Sequence, residues 1–416
     1  MKICFVGDNR VRPNFGCRAT SIALRDIVAQ YHEICATISG EMTEMYRPNV
    51  YKDLQSLPKI ASYVQRVYKK LFAYKDDADF VTDDAMYSVH AFLNIYHKYR
   101  PLQLLYEKVS QADALVLNAE GTFIFRQKPR YDLNFYLFII TLAQSLGKKT
   151  YVLNAMFSDG TASQRNMHTI RQASSILSKC TLVTARDALS YQYYKEHIGA
   201  NVTYIPDALF SWTKYSEYIP LAVSYPHAGM TFPESVEQWQ EFDFSKPYIA
   251  VSAASREMYT DDIDYIKQYT KLVEILKKSY RVVIVQTCMG ESFLLQVASQ
   301  TKTKIIDVRT NILFGMSVLA NAQCYISGRW HPSILASLGG TPCVMLSSNS
   351  HKSAAIYKEL KYDTGASIFF NPPMDDDIPE IVKRVEYNIT HYSRQAIRNK
   401  AQNNSMLLQQ YEKLLK

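Results

Sequence analysis

The chain has 416 residues, 47% of them hydrophobic, and a formal net charge of +8 at pH 7. That length is more than one compact core usually serves, so two domains are expected, and the composition excludes an intrinsically disordered chain. The positive excess is moderate and spread along the chain, which suits an anionic ligand, an anionic polymer or an acidic membrane face without choosing among them; no partner of nucleic acid type is expected.

The opening "MKICFVGDNR" holds an apolar run too short for a signal peptide, and residues 2–6 read as a first strand. "RPNFGCRATS" (12–21) follows, with Gly16 able to bring backbone close to a ligand at the start of a helix. Asn14, Gly16 and Arg18 are therefore candidate substrate-binding residues. The stretch is not a GxGxxG loop, so a dinucleotide is not indicated. A second strand is expected over 32–38. Residues 40–100 then form an insertion, helical in pattern and rich in Tyr, Lys and Asp, read as a solvated excursion ahead of an acceptor or membrane surface.

Apolar runs at 112–118, 149–154, 180–185 and 201–206 continue the strands. Between the first two lies "NFYLFIITLAQSLG" (134–147), interrupted and shorter than the about 20 residues of a membrane span. "NAEGTF" (118–123) sets the carboxylate Glu120 before the turn residue Gly121, either as an acid or base or as a loop cap. "TARDALS" (184–190) sets Arg186 at a strand end, either as a ligand clamp or as the partner of Asp187 or Asp207. Asp187 can also cap the next helix.

Residues 208–245 are rich in Pro, Ser and aromatics and lack a period. They read as a linker between an N-terminal domain (1–207) and a C-terminal one (246–390). The second half repeats the scheme, with strands at 247–253, 281–287, 303–308, 323–328 and 342–346. Short strands alternating with helical stretches predict an α/β fold of two Rossmann-like, doubly wound domains. Residues 391–416 read as one helix able to pack back on the first domain. "TDDIDY" (260–265) looks like the acidic metal motif of some glycosyltransferases but is better read as the cap of the following helix. No His/Cys cluster has zinc spacing, and neither a metal nor a cofactor is expected.

"SGRWHPSILASLGGTP" (327–342) carries the sharpest signal. A strand precedes it, Pro332 suits the first turn of a helix, and Gly339 and Gly340 stop that helix. Arg329 and His331 thus fall between the carboxyl end of a strand and a helix start, where open α/β sheets bind ligands. A guanidinium there can clamp a carboxylate or phosphate, and an imidazole can move a proton near neutral pH. The seven cysteines are odd in number and form no CxxC pair, which fits a reducing compartment. The expected location is the cytoplasm, with peripheral contact at the inner face of a membrane and no span.

Taken in order, "NFGCRATSIAL", "NAEGT", "VTARD…IPD" and "SGRWHPSILASLGGTP…SNSHKS" resemble the polysaccharide pyruvyl transferase family, over roughly residues 1–24 and 112–356. The most specific element is the strand–Arg–x–His–helix unit that ends in Gly–x–Pro. The resemblance implies a GT-B-like pair of Rossmann-type domains facing a cleft. It implies phosphoenolpyruvate as donor and a ketal on two sugar hydroxyls as product, on a cell-surface polysaccharide or its lipid-linked precursor. It implies donor-binding and catalytic roles for Arg186, Arg329 and His331, and Lys352 matches a lysine often found after the last strand. Two arginines and helix N-termini can cradle the donor's carboxylate and phosphate, and His331 and Glu120 are the candidate acid and base. The chain departs from the family's pattern at Cys17, where an acidic residue is common, at the less Gly-rich Ala119–Glu120–Gly121, and at Trp330, where an aliphatic residue is usual. The alternative on the same scaffold is a GT-B-type glycosyltransferase that takes a CMP-activated keto-sugar of the Kdo or sialic acid type. A non-catalytic glycan-binding module would leave Arg329 and His331 idle.

Overall fold

The computed structural model describes residues 1–39, 80–159, 165–221, 242–254, 264–309, 312–362 and 367–416. Most of the insertion at 40–100, residues 222–241 of the expected linker, and Asp261 and Asp262 of the acidic motif lie outside the described residues. The chain forms two compact units: Met1–Asn9, Val28–Arg186 and Ser190–Tyr204 make the first; Arg10–Ile27, Asp187–Leu189 and Ile205–Lys416 make the second. Most of the first helix, Phe15–Ala29, belongs to the second unit.

The first unit is built on β1 (Lys2–Asp8), β2 (Glu33–Ser39), β3 (Ala114–Asn118), β4 (Phe123–Ile124), β5 (Lys149–Ala155), β6 (Phe157–Ser158), β7 (Leu182–Ala185) and β8 (Thr203–Tyr204). Its main sheet runs β2-β1-β3-β5-β7-β8, with every pairing parallel. The strand order reverses between β1 and β3, which makes their carboxyl ends the switch point of the sheet. A parallel sheet covered on both faces needs continuous apolar strands, and Ile3–Val6 and Leu115–Leu117 are all buried. The two-residue strands β4 and β6 form a separate pair that the sequence pattern did not announce.

The apolar stretch at 134–147 falls in the helix Tyr131–Ser145, buried from Phe135 to Ala143. It is the central helix of this unit, and among the described residues no helix is long and apolar enough to cross a membrane. The described part of the insertion is helical, but it is not a solvated excursion. In the helix Ala85–Ile95, Asp84 caps the start by accepting from the Tyr87 amide, and Ala85, Ser88, Val89, Phe92 and Ile95 are buried. Those positions make one stripe at helical spacing, and the polar residues around them disguise it in the sequence. The stripe packs on the central helix, with Phe92 and Phe80 ring centroids 5.3 and 4.9 Å from that of Phe138.

The second unit holds β9 (Ile249–Val251), β10 (Val282–Gln286), β11 (Lys304–Asp307), β12 (Cys324–Ser327) and β13 (Cys343–Met345), in the parallel order β11-β10-β9-β12-β13. Its switch point lies between β9 and β12. Residues 208–221, within the expected linker, take a 3-10 conformation, and Ala208, Leu209, Phe210 and Trp212 are buried. The tail is not one helix. Ser393 caps the helix Arg394–Leu407 by accepting from the Ala396 amide, and a tight turn, with the Leu408 amide donating to Ser405 and the Gln409 amide to Met406, separates it from Gln410–Leu415. Within the second unit, Arg394 donates to the Ala322 carbonyl and Asn404 to that of Glu359.

Candidate functional site

β12 leads through Gly328 and Arg329 into the helix Trp330–Leu338. Arg329 is the N-cap residue, with extended backbone and no side-chain capping bond, and Pro332 stands in the first turn where a missing N–H costs nothing. The helix ends as its glycines require. Gly340 has φ +82°, its amide donates to Ser337, and the Thr341 amide donates to Ala336, a Schellman closure.

Two buried carboxylates hold the two candidate side chains. Glu291, with no exposed surface, accepts from Arg329 Nε at 2.7 Å. It also accepts from the Thr287 amide at 2.6 Å, from the Thr287 hydroxyl, and from the Cys288 amide at 3.3 Å. Arg329 Nη2 donates to Cys288 Sγ at 2.8 Å. Burial pushes the Cys288 thiol above its ordinary range, and the Glu291 charge adds to the effect, so the sulfur stays a protonated neighbour of the guanidinium. Asp207, also fully buried, lies 3.3 Å from His331 Nε2.

The start of the Phe15–Ala29 helix joins the same constellation inside the second unit. Asn14 bridges to Cys288, and the Phe15 amide donates to the Thr287 carbonyl at 2.9 Å. Asn14 Oδ1 accepts from the Cys17 amide at 3.1 Å, so this candidate ligand residue caps a helix. Gly16 allows a close approach, as the sequence suggested, but the group that approaches is His331. A Cβ on Gly16 would lie 2.8 Å from both Cβ and Nδ1 of His331. Arg18 is half-buried one turn into the helix, and burial lowers its guanidinium from the ordinary value.

Farther along the second unit, Lys352 opens the helix Lys352–Glu359 and donates to Asn349 Oδ1 at 2.8 Å. Beside it, His351 Nε2 lies 3.2 Å from the buried Asp187. The Ala188 amide, at the start of the helix that Asp187 was expected to cap, donates to Glu359. In the acidic motif, Asp264 caps its helix by accepting from the Lys267 amide. Among the described residues no cluster of His, Cys, Asp or Glu could hold a metal ion.

The first unit carries Glu120, Gly121 and Arg186. Glu120 and Gly121 form the turn after β3, at the switch point of that sheet. Glu120 sits in the left-handed region at φ 45° and is buried. It accepts from Asn9 Nδ2 at 2.7 Å and Asn118 Nδ2 at 3.3 Å. Asn118 also donates to the Gly7 carbonyl, so the ends of β1 and β3 are tied by side-chain amides. Arg186 follows β7 directly and is buried, its amide bonded to the Ala155 carbonyl.

Asn9, Asp207, Glu291 and His351 complete these arrangements without having been singled out for chemistry from the sequence. For Glu291 a local signal exists: it stands three residues after Cys288 in a capping-box position. For Asp207 the side-chain donors come from residues more than a hundred positions away.

Comparison with known proteins supplies the lineage. The structure is similar to UDP-N-acetylglucosamine 2-epimerase from Rickettsia bellii, with TM-score 0.54 and 10% identity over 99% of this chain and 95% of that one. It is similar to UDP-GlcNAc 2-epimerase from Neisseria meningitidis bound to UDP-GlcNAc, with TM-score 0.51 and 11% identity over 99% of this chain and 100% of that one. S. aureus MnaA with UDP gives TM-score 0.51 and 10% identity over 99% of this chain and 97% of that one. At such identities these likenesses speak to the fold, which is the GT-B-like one with two Rossmann-like lobes. No curated protein matches the sequence. The family model for polysaccharide pyruvyl transferase matches residues 14–350, from the cap of the first helix to the loop after β13, and the chain therefore belongs to that family of transferases.

Proposed function

We propose that the chain moves pyruvyl from phosphoenolpyruvate to two hydroxyls of a sugar, on a cell-surface polysaccharide or its lipid-linked precursor. The observation that carries this reading is the opening of the Trp330–Leu338 helix, where a buried carboxylate holds a guanidinium and a second one holds an imidazole. Arg329 suits the donor's carboxylate or phosphate. His331 gives a proton to the methylene carbon of the donor, and the neighbouring carbon becomes oxocarbenium-like. A sugar hydroxyl oxygen bonds to that carbon. The carbon–oxygen bond to phosphate then breaks, the phosphate leaves with the electron pair, and the second hydroxyl closes the ketal. Of the two hydroxyl protons, one restores His331 and the other departs on the phosphate. Lys352 is proposed as a further donor-binding cation, Arg186 as another, and Glu120 as a base, each open to test by its own substitution.

Incubation with a lipid-linked or synthetic glycan and each donor in turn tests the reading. Inorganic phosphate together with a pyruvyl-sized mass gain is the expected result. Release of CMP with gain of a whole sugar overturns it and makes the chain a glycosyltransferase that uses a keto-sugar. Binding can be read without an acceptor: phosphoenolpyruvate at a hundred times its dissociation constant should stabilise the fold by about 2.7 kcal/mol, and CMP should not.

A further inference from the structure

Asp207 ends the "IPD" triplet, just before the 3-10 segment, and its carboxylate is fully buried. At least three donors and a ring nitrogen reach it. The Thr20 hydroxyl and the Leu209 amide approach Oδ1, each at 3.0 Å. The Trp330 indole N–H approaches Oδ2 at 2.8 Å, and His331 Nε2 faces the same oxygen at 3.3 Å. An indole and a backbone amide can only donate, and an ionised carboxylate can only accept. Donors on both oxygens favour the ionised form. A ring nitrogen that faces an acceptor-only oxygen must carry the proton.

We propose that Asp207 is the positioning residue for His331: it sets the plane of the ring and keeps the neutral imidazole's proton on Nε2. Nδ1, turned toward Gly16 at the start of the Phe15–Ala29 helix, is then the basic nitrogen. Trp330 steadies the same carboxylate oxygen from the adjacent position, a role that the aliphatic side chain usual in the family's pattern could not fill. This inference rests on the reading of His331 as the proton-transferring group, and it adds which nitrogen of the ring takes up the proton.

The first measurement needs neither donor nor acceptor. In protein labelled with 15N-histidine, long-range proton–nitrogen spectra distinguish the two neutral tautomers, and comparison with His331→Gln assigns the signal. With the ring neutral, His331 should be the Nε2–H tautomer; an Nδ1–H tautomer overturns the proposal. The second measurement uses Asp207→Asn. One carboxylate oxygen becomes an NH2 group that must meet either the Leu209 amide or the Trp330 indole, both donors only, so the side chain must resettle and the His331 signal should move from its parental position. Turnover should fall by up to about 10⁴-fold with the KM for phosphoenolpyruvate little changed, the scale for an orienting aspartate of an acid–base histidine changed to asparagine. A folded Asp207→Asn protein with an unmoved His331 signal and parental turnover overturns it. If that variant does not fold, the wild-type tautomer still decides. If phosphoenolpyruvate is not the donor, the turnover measurement fails while the spectrum remains readable, so the two failures are distinct.

Discussion

Arg329 gives its Nε–H to Glu291 over 2.7 Å, and the carboxylate it reaches has no exposed surface. The same carboxylate satisfies the Thr287 and Cys288 amides, so one side chain serves a guanidinium and a backbone turn together. Removing it strands a cation and several donors. Glu291→Ala should therefore lose about 3–5 kcal/mol of stability, as is usual when one partner of a buried pair is deleted. Glu291→Gln keeps an acceptor and should lose less. Urea unfolding of the three proteins checks this; a Glu291→Ala midpoint equal to the parent's would make the pair incidental.

Alkaline pH should weaken the fold through its buried thiols. Burial pushes Cys4 up to about 12, with the neighbouring Cys35 adding to it, and burial likewise pushes Cys343 up to about 12. An unfolded cysteine ionises near 8.5. Between that value and about 12 the unfolded chain has released protons that the folded chain retains, so stability falls as pH rises. Below the unfolded value the contribution is fully present. Each such thiol should cost about 1.4 kcal/mol per pH unit inside that window. Unfolding curves at pH 8 and pH 10 should show the loss, and Cys4→Ala with Cys343→Ala should flatten the dependence.

The strands were legible because parallel strands buried on both faces read as unbroken apolar runs, as in Ile3–Val6 and Val282–Val285. The place of Arg329 and His331 between a strand end and a helix start was legible because a strand, a proline-bearing helix start and two glycines stand in order around them. Their partners were not. Asp207 and Trp330 are 123 positions apart in sequence and meet only once the second unit has folded. The exposure of the helix Ala85–Ile95 was misread for a different reason: its buried stripe is flanked by exposed polar residues such as His90 and Asn94, and polarity was taken for exposure. The cap at Asn14 was not separable from a ligand role, because a side-chain amide at a helix start serves both equally well in sequence.

Contact with a membrane surface is proposed from the net charge of +8 and from a lipid-linked acceptor. If it occurs, the protein should sediment with anionic phosphatidylglycerol vesicles at low salt and release as salt rises. Exposed charges are screened beyond about 8 Å at physiological ionic strength. Neutral phosphatidylcholine vesicles should not capture it. Indifference to anionic vesicles at low salt points to a soluble acceptor.

Gly16 offers a test of the site that leaves its chemical groups untouched. A methyl group at this position would lie 2.8 Å from both Cβ and Nδ1 of His331, closer than real Cβ contacts come. Alanine is otherwise a better helix residue than glycine, and Gly16 stands in the first turn of Phe15–Ala29. The substitution therefore sets a local clash against a modest gain in helix propensity. Gly16→Ala should keep its far-ultraviolet circular dichroism and lose turnover, because His331 must move by several tenths of an ångström. The loss should approach that of His331→Ala, which is expected at about 10²–10⁴-fold for removal of an acid–base group. Combining the two substitutions should cost little more than His331→Ala alone, since residues in contact do not act additively. Full activity in Gly16→Ala would show that the imidazole tolerates displacement and would remove the argument that its placement matters.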